Sequence, residues 1–420
     1  MTIKFRVLLI LMVGLATLWM SGCNHYTCGL TFGASTCGTS SPSGISTTSG
    51  TGTTTAFVYA VDTAGTIDSY SLNNTAVTFG ATASYTPPTV PANDQGTGMV
   101  VAQSQFLYAG FATTGQLFGW AVDGSTGALA SVTGSPYTTS FMAAVPRNTH
   151  AMITNPAGTL LFISDAGASE IWTYQIGSGG SLTEVTGSPF STGSLGEPGG
   201  LTTDGLGKYL YATQNSSNNT GQEVAAFSIA TSGALTPVVG SPFGFPMGQV
   251  QGEASGQFLI GTTGNSAAIS GVDEDLLFVF AITQTGSNAG ALTQLSTTTT
   301  QYSPFAIAVQ PNSGGNLVYS FGLNDDRTGF NPPEGFELSS SGTLTAVAGS
   351  PFTNATIGDW GQFDQSGENL FLLGAVLDTS TNTVTDNLGA LAVASGGALT
   401  EPTTGITFAT PGYWSVTDPK

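Results

Sequence analysis

From residue 57 onward the apolar and polar positions fall into strand-like patterns. Short runs of apolar and aromatic residues recur: FVYAV from 57, FLYAG from 106, LLFIS from 160, YLYAT from 209, FLIGT from 258, LVYSF from 317 and LFLLG from 370. After each of most runs comes an alternating stretch with an apolar residue, an aromatic and an aliphatic in fixed order: Ile67, Tyr70, Leu72; Leu117, Trp120, Val122; Ile171, Tyr174, Ile176; Val224, Phe227, Ile229; Leu277, Phe280, Ile282. Leu388, Leu391 and Val393 repeat it without the aromatic. Alternation with β-branched and aromatic enrichment predicts strands. Several runs are preceded by small residues ending in a turn, as in AMITNPAG at 151–158, AIAVQPNSG at 306–314 and WGQFDQSG at 360–367. These predict a further strand ahead of the run.

A longer period underlies this pattern. The phrase GALASVTGSPY at 127–137 returns as GSLTEVTGSPF at 180–190, GALTPVVGSPF at 233–243 and GTLTAVAGSPF at 342–352, with degenerate copies at 290–305 and 397–408. Its anchors Leu129, Leu182, Leu235, Leu292, Leu344 and Leu399 recur about every 50 residues, the length of a supersecondary repeat. The phrase supplies a fourth, outer strand. Four antiparallel strands per unit, with no helical period after residue 22, predict an all-β chain folded as a seven-bladed β-propeller. The coils of a β-solenoid, the competing architecture, are much shorter than this unit. The unit at 57–89 lacks a first strand, whereas Tyr413 to Pro419 reads as a first strand without a second. These halves are expected to complete one blade, removing the exposed sheet edges of an open ring.

The N-terminus differs in kind. Lys4 and Arg6 precede the apolar run Val7 to Leu18, too short to span a bilayer but suited to a secretory signal. Met20, Ser21, Gly22 and Cys23 then resemble the lipobox of bacterial lipoproteins, in which the Cys thiol takes a diacylglyceryl group. An ordinary secretory signal with a chance Cys is the other reading. Asn24 is not the Asp that retains many such lipoproteins at an inner membrane, so the resemblance points to an outer membrane or the cell surface. The expected organisation is a lipoprotein signal peptide at 1–22, a lipidated Cys23 with a Gly/Ser/Thr-rich linker at 23–55, and the propeller at 56–420. As random coil, residues 24–55 reach about 30 Å. Cys28 and Cys37 could close a small loop in an oxidising compartment or remain thiols; with His25 they offer too few ligands for zinc.

Charge narrows the partners. The chain carries 6 basic and 25 acidic residues, a net charge of −19, and charged residues make up 7% against roughly 25% in an ordinary soluble domain. Nucleic-acid binding rests on Lys and Arg displacing counterions, so it is excluded. Loss of residues 1–22 would remove two basic groups and no acid, leaving the remainder more acidic still.

The body from about 56 to 420 resembles the seven-bladed lactonase family, which contains bacterial 6-phosphogluconolactonases and fungal carboxymuconate cyclases, and is similar in blade grammar to YVTN-type surface repeats. The resemblance is most specific from His150, Ala151, Met152 through Leu160 to Glu170, which is similar to the family's HAH segment, strand and DLGxD turn. His150 matches the first His; Met152 stands in place of the second, and Glu170 lies one position beyond the second Asp. In the next unit the family's Gly-Pro-Arg-His segment corresponds to Pro198, Gly199, Gly200, and its Asn-Glu pair to Gln214, Asn215, Ser216. The resemblance implies a lactone-directed channel, yet the Arg, His and Glu expected there are missing.

A lactonase needs a general base and a cationic or hydrogen-bonding clamp. His150, Arg147, Arg327 and Lys208 remain to offer them. His150 as base and Arg147 as anion clamp form the candidate catalytic pair; the alternative is a family remnant whose hydrogen bonds hold its loop. Asp325, Asp326 and Arg327 read as a loop ion pair or a solvated acid cluster. Asp273, Glu274 and Asp275 offer calcium-type oxygens or a charged strand entry, and no DxDxDG loop occurs. Trp120, Trp172, Trp360 and Trp414 fall at strand registers suited to blade packing. No GxSxG, HExxH or GxxxxGK[ST] motif is present. The expectation is a monomeric, lipid-anchored binding or scaffold module of the cell envelope, without cofactor or metal. Its expected partners are the membrane, through the lipid, and a small molecule or envelope protein. A lactonase-like enzyme using His150 and Arg147 is the alternative.

Overall fold

The computed structural model describes residues 54–417 apart from short segments between strands, the longest being 88–95, 139–150, 215–222, 264–274 and 324–330. Among the described residues every regular element is a strand, and no helix is long and apolar enough to cross a membrane. The strands form seven antiparallel sheets, each built around four strands that follow one another across the sheet. In blade 3 these are Met152–Thr154, Leu160–Asp165, Glu170–Ile176 and Leu182–Glu184; in blade 4, Pro198–Thr203, Tyr209–Gln214, Val224–Ile229 and Leu235–Pro237. Blade 5 holds Gln249–Gly252, Phe258–Thr262, Leu276–Ile282 and Leu292–Thr299, and blade 6 Ser303–Val309, Leu317–Leu323, Glu334–Leu338 and Leu344–Ala346. Blade 2 begins with Gly96–Ala102 and blade 7 with Trp360–Phe363. The first strands of all seven blades touch in cyclic order and form the inner ring.

Closure occurs as the sequence predicts. Pro411–Thr417 pairs antiparallel with Thr54–Asp62, setting Tyr413 opposite Val61 and Trp414 opposite Ala60, so the C-terminal segment is the inner strand of blade 1.

The core explains why the second strands read as unbroken apolar runs. Seven buried clusters lie one between each adjacent pair of blades. Leu161 and Ile163 face blade 2, whereas Leu160 and Phe162 of the same strand face blade 4. With both faces covered, every residue of the strand is buried, each large side chain contributing about 2 kcal/mol. Trp120 packs as expected, fully buried, stacked on Phe118 and edge-on to Tyr85. Trp172 is buried in the blade 2–3 cluster, and Trp360 packs against the clusters on either side of blade 7.

The outer strand is shorter than the repeated phrase. In blades 2, 3, 4 and 6 it runs only three residues before the Gly-Ser-Pro turn. There the hydroxyls of Ser135, Ser188, Ser241 and Ser350 accept from the N–H groups of Gly119, Thr173, Ala226 and Gly335 in the third strand, at 2.9–3.0 Å. The recurring serine thus replaces the backbone acceptor that the departing strand takes away. Blade 5, without this turn, instead continues its outer strand past a bulge to Thr299.

Neighbouring blades are also fastened by a recurring tyrosine. Tyr59, Tyr108, Tyr211 and Tyr319 each donate to a glycine carbonyl in the turn between the third and outer strands of the following blade: Gly127 at 2.9 Å, Gly180 at 2.8 Å, Gly290 at 3.0 Å and Gly397 at 2.6 Å. Burial raises the pKa of all four phenols, keeping them protonated as donors. Gly127 has φ +71°, and a Cβ there would strike the ring of Phe57. Blade 5 has Ile260 at the tyrosine register, and Ser296 of its outer strand reaches Gly342 at 2.6 Å instead.

Candidate functional site

Inner strands run from one end of the propeller, where second strands hand over to third strands and each blade to the next, to the other end, where first-to-second and third-to-outer turns lie. The two are called here the loop end and the turn end. Gln103 donates to the Gly158 carbonyl and Gln310 to that of Gly367, at 2.9 Å each, which confirms that first-to-second turns of adjacent blades sit side by side.

The segment holding Arg147 and His150 joins Tyr137–Thr138 to the inner strand Met152–Thr154 at the loop end; both residues lie outside the described ones. So do Asp325, Asp326, Arg327, Asp273, Glu274, Cys23, Cys28 and Cys37. Lys208 is described, and it lies in the 204–208 turn at the turn end, the opposite end from the segment that holds Arg147 and His150. Met152 is buried in the blade 2–3 cluster. Asp165, fully buried, pairs across the strands with Glu170, and its Oδ1 accepts from the Ala168 N–H at 3.0 Å.

The described loop end is held by hydroxyls at one register of successive second strands. Ser164 accepts from the Ala151 N–H at 2.9 Å and donates to the Gly199 carbonyl of blade 4 at 3.4 Å. Thr213 accepts from the Gly200 N–H at 3.0 Å and donates to the Gly248 carbonyl of blade 5 at 3.2 Å. Thr262 accepts from the Gln249 N–H at 3.2 Å. Gly199 and Gly200, the positions at which the family resemblance implies Arg and His, therefore present backbone to these hydroxyls. The inner ring is stitched further along: Gly252 N–H donates to Thr202 at 3.1 Å, Ile307 N–H to the Gln249 side chain at 3.0 Å, and Val309 N–H to that of Gln251 at 2.9 Å.

One buried acid marks the rim between blades 5 and 6. Glu334 accepts from the Gln301 N–H at 3.1 and 2.9 Å and from the Tyr302 N–H at 3.1 Å. Burial raises its pKa, the two backbone donors oppose this, and Asp275 adds to the rise. The arrangement fixes the connection from blade 5 to blade 6. Among the described residues, no three His, Cys, Asp or Glu side chains come together to hold a metal.

Sequence reasoning missed the tyrosine fasteners, the turn serines and the inner-ring Thr202, Gln249 and Gln251. Tyr recurring at one register of four second strands was a readable signal, as were two glutamines in an inner strand.

The strand order and the closed ring define a seven-bladed β-propeller. It is similar to a candidate 6-phosphogluconolactonase from Bacteroides uniformis, with 16% identity, a TM-score of 0.62 and coverage of 86% of this chain and 99% of that one. A second candidate, from Bacteroides fragilis, matches at 15% identity and TM-score 0.60 over 86% and 98% of the two chains. The periplasmic gluconolactonase of Pseudomonas aeruginosa matches at 15% identity and TM-score 0.58 over 87% and 99%. No protein-family profile matches the chain. No curated protein matches it by sequence. At these identities the likeness is one of fold.

Proposed function

We propose that the chain is a lipid-anchored propeller of the bacterial cell envelope, held through Cys23, that acts as a binding or scaffold module. The observation that carries this reading is the blade 3–4 contact: where the lactonase resemblance calls for Arg and His, Gly199 and Gly200 lend only backbone, and the nearby hydroxyls of Ser164 and Thr213 hold that backbone in place. Groups so committed build a rim rather than polarise a carbonyl or activate water. The periplasmic address of the Pseudomonas protein agrees with an exported chain.

The competing reading is lactone hydrolysis with His150 as base and Arg147 as clamp. A form lacking residues 1–22 separates the two when assayed on 6-phosphogluconolactone and glucono-lactone. The expected result is no turnover above background, with His150→Ala leaving the unfolding midpoint unchanged. Turnover abolished by His150→Ala would replace the scaffold reading with the enzymatic one.

A further inference from the structure

The outer strand of each blade is a sheet edge, and in six of the seven blades that edge is blunted. In blades 2, 3, 4, 6 and 7 the strand is only two or three residues long. Glu184 further guards it in blade 3 and Pro237 in blade 4. Blade 1 has a long outer strand, Thr78–Tyr85, but its Ser84 donates to the Asp68 carboxylate, which sets a negative charge at that edge. Short strands, charges and proline are the devices that keep sheet edges from pairing.

Blade 5 has none of these devices. Leu292–Thr299 runs eight residues, with Thr293, Gln294, Leu295, Thr297 and Thr299 exposed. No charged residue and no His occurs from 276 to 324. Thr300 N–H donates to the Asp275 carbonyl at 2.9 Å, so the alternation of an antiparallel ladder turns the backbone groups of Thr298 and Ser296 inward, to Leu277 and Val279. Those of Thr297 and Thr299 point outward. Among the described residues no hydrogen bond reaches them.

We propose that this strand is a self-association edge, at which two copies of the chain pair their Leu292–Thr299 strands antiparallel about a two-fold axis. The two four-stranded sheets of blade 5 then become one continuous sheet, and a dimer replaces the monomer expected from the sequence. Charge selects the occupant. A chain of net charge −19 repels its own copies, and this edge is where two of them meet without setting carboxylate against carboxylate. A basic or acidic peptide finds no ion to pair with here, whereas a neutral, Thr-rich strand of high β-propensity fits, and the chain presents that strand itself. Register follows from the outward groups. Thr297 must meet either itself or Thr299 of the second copy in a hydrogen-bonded pair, which puts the axis on Thr297 or on Thr298. The association needs neither the lipid nor the loop end, so it stands or falls apart from the anchored reading.

The test measures the mass of the full chain in a density-matched non-ionic detergent by sedimentation equilibrium. A dimer is expected at about 0.1 mM. Thr297→Glu, at an exposed position, brings two carboxylates together near the axis and should weaken association about ten-fold with the unfolding midpoint unchanged. Thr297→Val, uncharged and β-branched, should keep the dimer. In a Cys28→Ser, Cys37→Ser background, Thr297→Cys or Thr298→Cys should form a disulfide dimer on oxidation beyond that of the parent, and Thr183→Cys in the blade 3 edge should not. A wild-type monomer at that concentration overturns the proposal. So does a dimer that is indifferent to Thr297→Glu and cross-links at neither position. A monomer in which Thr297→Glu speeds amide exchange along 292–299 would mean that another segment of the chain covers the edge, and overturns it too.

Discussion

The two ends of the propeller are made from the same strands, yet they follow different rules. At the turn end the described blades repeat one another: in blades 3, 4, 5 and 7 a carboxylate or amide holds the first turn, and in blades 1, 2, 4, 5 and 6 a tyrosine or serine holds the glycine of the next blade's second turn. At the loop end the second-to-third connections are short in blades 1, 2, 3 and 7 (63–66, 112–115, 166–169, 379–382) and long in blades 4, 5 and 6 (215–223, 263–275, 324–333), and Arg147, His150, Asp325 and Arg327 all belong to loop-end connections. Repetition therefore builds the ring at one end and leaves the other free to carry whatever distinguishes this chain.

Substitutions at the turn end sharpen or break that contrast. The largest effect is expected at Gly205, where a Cβ would collide with the backbone carbonyls of Glu253 and Ala254 in blade 5. Backbone cannot move aside as a side chain can, so Gly205→Ala should cost about 3 kcal/mol in denaturant unfolding. A near-neutral result would mean the turn end is not the rigid one. Next comes Tyr319→Phe, which leaves the buried Gly397 carbonyl without its donor and should cost about 1–2 kcal/mol. Ser296→Ala should show a loss of the same order if serine in blade 5 truly stands in for tyrosine.

The smallest effect concerns pH. Asp204 is fully buried; its Oδ1 accepts from Lys208 and Tyr209, while Oδ2 has no hydrogen-bond partner. Burial raises its pKa against the opposing pull of the backbone N–H groups of Tyr209, Lys208 and Leu206 and of the Lys208 charge. An acid whose folded pKa lies above the unfolded value of about 3.9 binds more protons when folded. Its contribution is thus most favourable below that value and is lost as pH rises through the folded pKa. Glu334 acts in the same sense. Asp123 is exposed and opposes them, its pKa lowered to about 2 by bonds from Ser125 and Thr126. Asp204→Asn should flatten the fall in unfolding midpoint between mildly acid and neutral pH; an unchanged slope would show that the carboxyl is already compensated.

The fold was legible because its determinants repeat. Leu129, Leu182 and Leu235 recur at one interval since each begins an outer strand, and the blade split between Phe57 and Tyr413 could be seen from one missing and one surplus strand. The fasteners were harder to see. A tyrosine such as Tyr108 looks like any core aromatic until its partner Gly180, a blade away, is known. His150 and Arg147 could be named only through the family likeness, since loop-end connections obey no period against which an unusual residue would stand out.

The closing strand has a consequence for biogenesis. Until Pro411–Thr417 has been synthesised, blade 1 lacks its innermost strand, and the other six blades form an arc with a raw edge on Thr54–Asp62. Completion must therefore wait for the last segment of the ring to leave the ribosome. A chain that cannot lock early stays threadable, as the export proposed above would require.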